Sequence, residues 1–74
     1  IFNLMSQYIY FSLNGQIYFT DKAITLADII DYFNYKDSLL VLELNQLVSN
    51  KDKWQQTFIH NQDKLEIVSI VGGG

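Results

Sequence analysis

The sequence predicts an α+β fold, a roll in which one main helix packs across a mixed sheet of four or five strands. Three observations predict it. Asn14-Gly15 sits between two alternating apolar runs, the chemistry of a tight β-hairpin turn. One capped amphipathic segment, Thr25 to Phe33, supplies a single helix. The later apolar runs are short and alternate with period two. The last of them is apolar on both faces, which suits the centre of a sheet.

Ile1 to Gln7 shows no clean period and is assigned no element. From Tyr8 to Leu13 the chain alternates, with Ile9, Phe11 and Leu13 on one face and Tyr8, Tyr10 and Ser12 on the other. Asn14-Gly15 then turns the chain, because both central positions of a type I′ turn need φ > 0, and Gln16 to Phe19 is the return strand. After a polar connection, Thr25 is placed as a helix N-cap with Asp28 three residues on, close to a capping box. Ile24 and Ile29 are spaced as a hydrophobic staple, and Leu26, Ile29, Ile30 and Phe33 follow one buried helical face. Asp28 and Asp31 are read as a solvated face that favours the positive helix N-terminus. The stretch Asn34 to Asp37 ends the helix, with Asn34 suited to a left-handed cap.

Leu39 to Asn45 reads as a third strand, with Leu40, Leu42 and Leu44 on one face. Following a crossover helix, it is expected to run parallel to an earlier strand. Leu47-Val48 is long enough only for a short edge strand. Ser49 to Gln56 is polar apart from Trp54, whose ring is expected to lid the core. His60 reads as a surface or structural side chain, since it has no second histidine and no nearby Ser or Cys. Asn61 to Lys64 is a turn, and Leu65 to Val71 is the last strand. Leu65 and Ile67 should face the helix, leaving Val68 and Ile70 on the opposite face for a covering element or a partner.

A chain of 74 residues makes one domain with a limited core. With no cysteine, it has no disulfide, no thiolate metal site and no cysteine nucleophile. A single histidine makes no multi-histidine metal site. No apolar run approaches the roughly 20 residues of a membrane helix. Its net charge is −3 and its strong bases are all lysine, which argues against nucleic acid as a partner. Ile, Asn, Tyr, Phe and Lys are abundant while Pro and Arg are absent, the bias of an A+T-rich genome such as a plastid's or that of an A+T-rich bacterium.

The final strand runs into Gly72-Gly73-Gly74. A glycine run packs nothing and loses the most entropy on ordering, so it is not there for stability. It is the thinnest peptide available and reads as a flexible arm bearing a terminal carboxylate, suited to a narrow active site on another protein. Taken alone, the run fits a frayed end equally well; the body decides between them.

Leu13-Asn14-Gly15, the helix start Thr25 to Ile30, Leu42-Glu43-Leu44-Asn45, Trp54, and Asp63 to Val68 leading to Val71-Gly72-Gly73-Gly74 form an ordered set. Together they resemble the ThiS family, the sulfur carrier proteins of thiamine biosynthesis, over nearly all of Ile9 to Gly74. Two turns depart from the family pattern, where Ser49-Asn50 stands for Pro-Arg and Asn61-Gln62-Asp63 for Asp-Gly-Asp. The resemblance implies a single ubiquitin-like β-grasp domain over residues 1–74, with residues 1–7 unassigned and residues 72–74 a flexible tail. It implies that Gly74 is the site of adenylation and then of a thiocarboxylate, with Gly72 and Gly73 as the tail; the apolar outer face of the last strand, Val68 and Ile70 with nearby Tyr side chains, is the expected partner-docking face. The carrier would bind no cofactor and no metal itself, while its activating enzyme would use ATP and Mg²⁺. Implied partners are that adenylating enzyme, a thiazole synthase, and a sulfur donor such as a cysteine desulfurase or persulfide protein, with no nucleic acid and no membrane. By the same resemblance the chain is a covalent carrier rather than an enzyme. Its place would be the cytoplasm, or the plastid stroma if it is plastid-encoded. The small subunit of molybdopterin synthase, a ubiquitin-like protein modifier and a plain interaction module with an inert tail are the competing readings.

Overall fold

The computed structural model describes residues 8–35 and 39–70. The unassigned Ile1–Gln7, the end of the helix-terminating stretch at Lys36-Asp37, and the tail from Val71 through Gly72, Gly73 and Gly74 lie outside the described residues. The chain opens with β1, Ile9–Leu13, and β2, Gln16–Thr20, paired antiparallel from Ile9↔Thr20 to Leu13↔Gln16. Asn14 and Gly15 carry φ of 50° and 85°, as a type I′ turn requires.

Helix α1, Leu26–Tyr32, starts with a complete capping box. The Asp28 N–H donates to Thr25 Oγ1 at 3.1 Å, and the Thr25 N–H donates to an Asp28 carboxylate oxygen at 2.8 Å. It ends in a Schellman motif: Asn34 has φ 60°, its N–H donates to the Asp31 carbonyl, and the Tyr35 N–H donates to the Ile30 carbonyl. Phe33 is the C-cap and only half-buried, so it closes the core from the side, its ring edge-on to Tyr18 at 5.0 Å.

Strands β3, Leu40–Leu44, and β4, Leu47–Ser49, form a second antiparallel hairpin. It turns at Asn45-Gln46, both with positive φ. A 3-10 turn at Lys51–Lys53 brings Trp54 over the core, where it is 4% exposed and its indole N–H donates to the Ser49 carbonyl at 3.0 Å. The expected lid is therefore what Trp54 makes. The following segment folds over the start of α1. The Leu26 and Ala27 N–H groups, which have no partner within the helix, donate to the Thr57 and Trp54 carbonyls. Ile59 is buried there, a core residue that no periodicity marks.

Strand β5 spans Asp63–Ser69 and so begins two residues before the Leu65 expected from the sequence. Asp63 and Lys64 look like turn residues, but they pair in register with Phe11 and Ser12 of β1. The sheet order is β2-β1-β5-β3-β4, with β5 central, parallel to β1 and antiparallel to β3. Strand β3 runs parallel to the earlier β2 as expected, but β1 and β5 lie between them. The parallel neighbours are β1 and β5, because the last strand enters the gap beside the first. The core is the layer between α1 and one face of this sheet. Leu26, Ile29, Leu42 and Leu65 are fully buried in it, each contributing about 1.5–3 kcal/mol.

Candidate functional site at the exit of the central strand

Alternation along β5 sorts its side chains. Leu65 and Ile67 are buried under α1, while Val68 and Ile70 are 57% and 53% exposed on the other side. Their exposure places the two expected docking residues together, at the end of β5 that leads to the glycines. Val68 stands opposite the half-buried Val41 on β3, and the Ile70 N–H donates to the Leu39 carbonyl at 2.6 Å. Leu39 is itself exposed. The four residues form an apolar patch at the root of the tail, on a face that no described residue covers. Gly72, Gly73 and Gly74, the expected reactive tail, lie outside the described residues.

The same face carries two carboxylates that sequence reading did not single out. Glu43 stands directly opposite Glu66 in the β3–β5 register, one step from the Val41–Val68 pair. Like charges directly opposite destabilise a sheet, so the pair is not explained by the stability of the isolated chain. Lys64 follows on the same face. Beyond it, Tyr10 and Phe19, with rings 6.0 Å apart, form a separate aromatic patch at the far end of the strand, beside Asn61. Tyr10 therefore does not join Val68 and Ile70. Only the register, which links residues far apart in sequence, reveals either arrangement.

Two asparagines fix β5 in place. At the start of the strand the Asn45 Oδ1 accepts from the Lys64 N–H at 2.8 Å and its Nδ2 donates to an Asp63 carboxylate oxygen at 3.0 Å. Nearer the exit the Asn14 side chain bonds Ile67 twice. Its Oδ1 accepts from the Ile67 N–H at 2.8 Å and its Nδ2 donates to the Ile67 carbonyl at 3.0 Å. The sequence marks both residues as turn formers and gives no sign of this second use.

The remaining candidates hold structural roles. Asp28 is committed to the helix cap, and His60 is 82% exposed with Nδ1 4.0 Å from Asp63. Among the described residues no three His, Cys, Asp or Glu side chains are grouped to hold a metal ion. Two open grooves flank α1, one under Trp54 and one against the β1–β2 hairpin, and neither is lined by a β5 residue. No helix among the described residues is long and apolar enough to cross a membrane. What is left is the end of the central strand, with an apolar and acidic face beside it and glycines following in the sequence.

A family model described as the ThiS family matches residues 11–74. A protein named ycf40 from Trieres chinensis is 52% identical over 64 residues, covering 86% of this chain and 88% of that one. The sulfur carrier protein ThiS of Bacillus subtilis (strain 168) is 26% identical over 50 residues, covering 68% of this chain and 76% of that one. Among solved structures, the thiamine biosynthesis protein ThiS from Geobacter metallireducens superposes with a TM-score of 0.74 at 19% identity, covering 89% of this chain and all of that one. That likeness shows the shared fold, a ubiquitin-like β-grasp with one helix on a five-stranded mixed sheet.

Proposed function

The chain belongs to the ThiS family, and from that premise we propose that it is a sulfur carrier whose Gly74 carboxylate is adenylated and converted to a thiocarboxylate. The observation that carries this reading is the central strand β5, paired on both sides, with three glycines following it in the sequence. A free carboxylate is ionised at neutral pH and is a poor acyl donor. Attack of the carboxylate on the α-phosphate of ATP, with pyrophosphate leaving, gives a mixed anhydride with AMP that is a good one. A sulfur nucleophile then displaces AMP at the carbonyl carbon. With a persulfide as donor the first product is an acyl disulfide, and a second thiol must reduce it to release the thiocarboxylate. ATP and Mg²⁺ belong to the activating enzyme in this scheme. The chain is the protein co-substrate, and its side chains make and break no bonds.

Roles divide along the molecule. Val68 and Ile70, with Leu39 and Val41, supply an apolar docking surface for the activating enzyme and for the sulfur-accepting synthase. The adjoining Glu43–Glu66 pair suits a basic group on the partner. Gly72 and Gly73 let the partner's backbone close on the tail. The thiazole ring of thiamine is the destination proposed for the sulfur, in keeping with the family match and with the Bacillus relative named as a sulfur carrier protein. Plastid encoding, and so the stroma, is supported by the ycf40-named relatives from Trieres chinensis, Pyropia yezoensis and Porphyra purpurea. Cell fractionation that finds the chain outside plastids would reject that placement.

Intact-mass analysis after incubation with the activating enzyme, Mg-ATP and a sulfur source tests the reading. The expected result is a mass gain equal to one oxygen-to-sulfur exchange, and its loss on addition of the thiazole synthase and its substrates. Loading followed by discharge only to a molybdopterin precursor would assign the other sulfur pathway. Isopeptide attachment to lysines of other proteins would assign a modifier.

A further inference from the structure

We propose that Asn14 is a positioning residue for the terminal carboxylate: its side-chain amide replaces the strand residue that the sheet lacks beside Ile67, and so holds the β1 flank of β5 ahead of the exit. This rests on the carrier reading. Strand β1 ends at Leu13, and its pairing with β5 ends at Leu13↔Leu65. The chain then turns away at Asn14-Gly15, while β5 runs on to Ser69. The Asn14 backbone N–H still reaches the Leu65 carbonyl at 2.9 Å. One step further along β5 the side chain takes over. A primary amide presents a planar donor and acceptor like those of a peptide group, and Asn14 applies both to the partly buried backbone of Ile67 at 3.0 and 2.8 Å. These are the two bonds that a continuing parallel strand would make. On the other flank β3 pairs with β5 through Leu40↔Ser69. Ile67 is therefore the last residue held from both sides among the described residues, and Val68 to Ile70 continue from it bonded to the β3 side alone.

The turn does not require this side chain. A type I′ turn accepts Asn, Asp or Gly at its first central position, so the φ of 50° explains the residue class and leaves the two bonds to Ile67 unexplained. Asn45 provides an internal control. It is also a positive-φ turn residue whose amide makes two hydrogen bonds to β5, but at Asp63 and Lys64, the end away from the tail.

The test compares Asn14→Gly, Asn14→Asp and Asn45→Gly with the unaltered chain, at a temperature where all are folded by circular dichroism. Two quantities are read: amide hydrogen exchange at Ile67, and kcat and KM for sulfur loading by the activating enzyme. Asn14→Gly keeps the turn and loses both bonds. Ile67 protection should fall about tenfold as that flank opens, and kcat about tenfold with KM within about twofold, because small misplacements of a reacting group are costly. Asn14→Asp keeps the acceptor and loses the donor, so Ile67 should stay protected while kcat drops by a smaller factor. Asn45→Gly should leave kcat within about twofold, as its bonds lie away from the tail. Wild-type Ile67 protection or wild-type kcat in Asn14→Gly would overturn the role, as would an equal loss of kcat in Asn45→Gly, which would make the effect one of general stability. An unaltered chain that takes up no sulfur overturns the carrier reading itself, a result distinct from equal loading by the unaltered chain and Asn14→Gly.

Discussion

At the residue scale β5 and the glycines that follow it in the sequence answer to different rules. Leu65 and Ile67 are fixed by burial, and their inward facing follows from alternation alone. Gly73, with no side chain, answers in the proposed carrier role to the space on the partner. Gly73→Val adds a β-branched side chain and disfavours φ > 0. Its denaturation midpoint should match the unaltered chain, while loading by the activating enzyme falls by about two orders of magnitude or more, since near-attack geometry tolerates little displacement. A loading rate within about twofold of normal would show that the tail enters no narrow channel. Side chains with a single role, such as Leu42 and Trp54, were legible in the sequence. Those with two were half legible. Asn14 reads as a turn and also ties Ile67; Asp63 reads as a turn residue and also begins a strand. In both cases the second role depends on a chain segment some fifty residues away, which no local pattern contains.

At the scale of elements, the hairpin and the helix were the most legible because both carry complete local codes. Asn14-Gly15 turns as its chemistry dictates, and Thr25 and Asp28 form the full capping box. The helix is only seven residues long, too short to persist without tertiary support, so its start is a sensitive point. Thr25→Ala removes one arm of the box and leaves the Asp28 N–H without its acceptor. The expected loss is about 0.5–2 kcal/mol, read from the urea midpoint; no change would show that the Trp54–Ile59 segment alone satisfies the helix start. That segment was the least legible element. Its value lies in carbonyls that accept from the Leu26 and Ala27 N–H groups and in burying Ile59, and irregular backbone advertises neither.

At the scale of the whole molecule, the order of elements determines the function. Placing the last strand in the centre of the sheet pairs it on both sides, where an edge strand is paired on one. In the proposed role the body supplies affinity and the tail supplies reactivity. Ile70→Glu should leave the fold intact, since Ile70 is exposed. It should weaken binding to the activating enzyme about tenfold or more, about 1.4 kcal/mol, measured by titration calorimetry; unchanged binding would remove this face from the interface. The central claim is that the carboxylate of Gly74 is the reactive group, and one measurement tests it most directly. A chain extended by a single residue after Gly74 moves the carboxylate by about 3.5 Å, against a tolerance of about 1 Å. Incubated with the activating enzyme, Mg-ATP and a sulfur source, it should retain its unmodified mass while the unextended chain exchanges one oxygen for sulfur. Normal sulfur uptake by the extended chain, with the added residue still present by mass, would contradict the account.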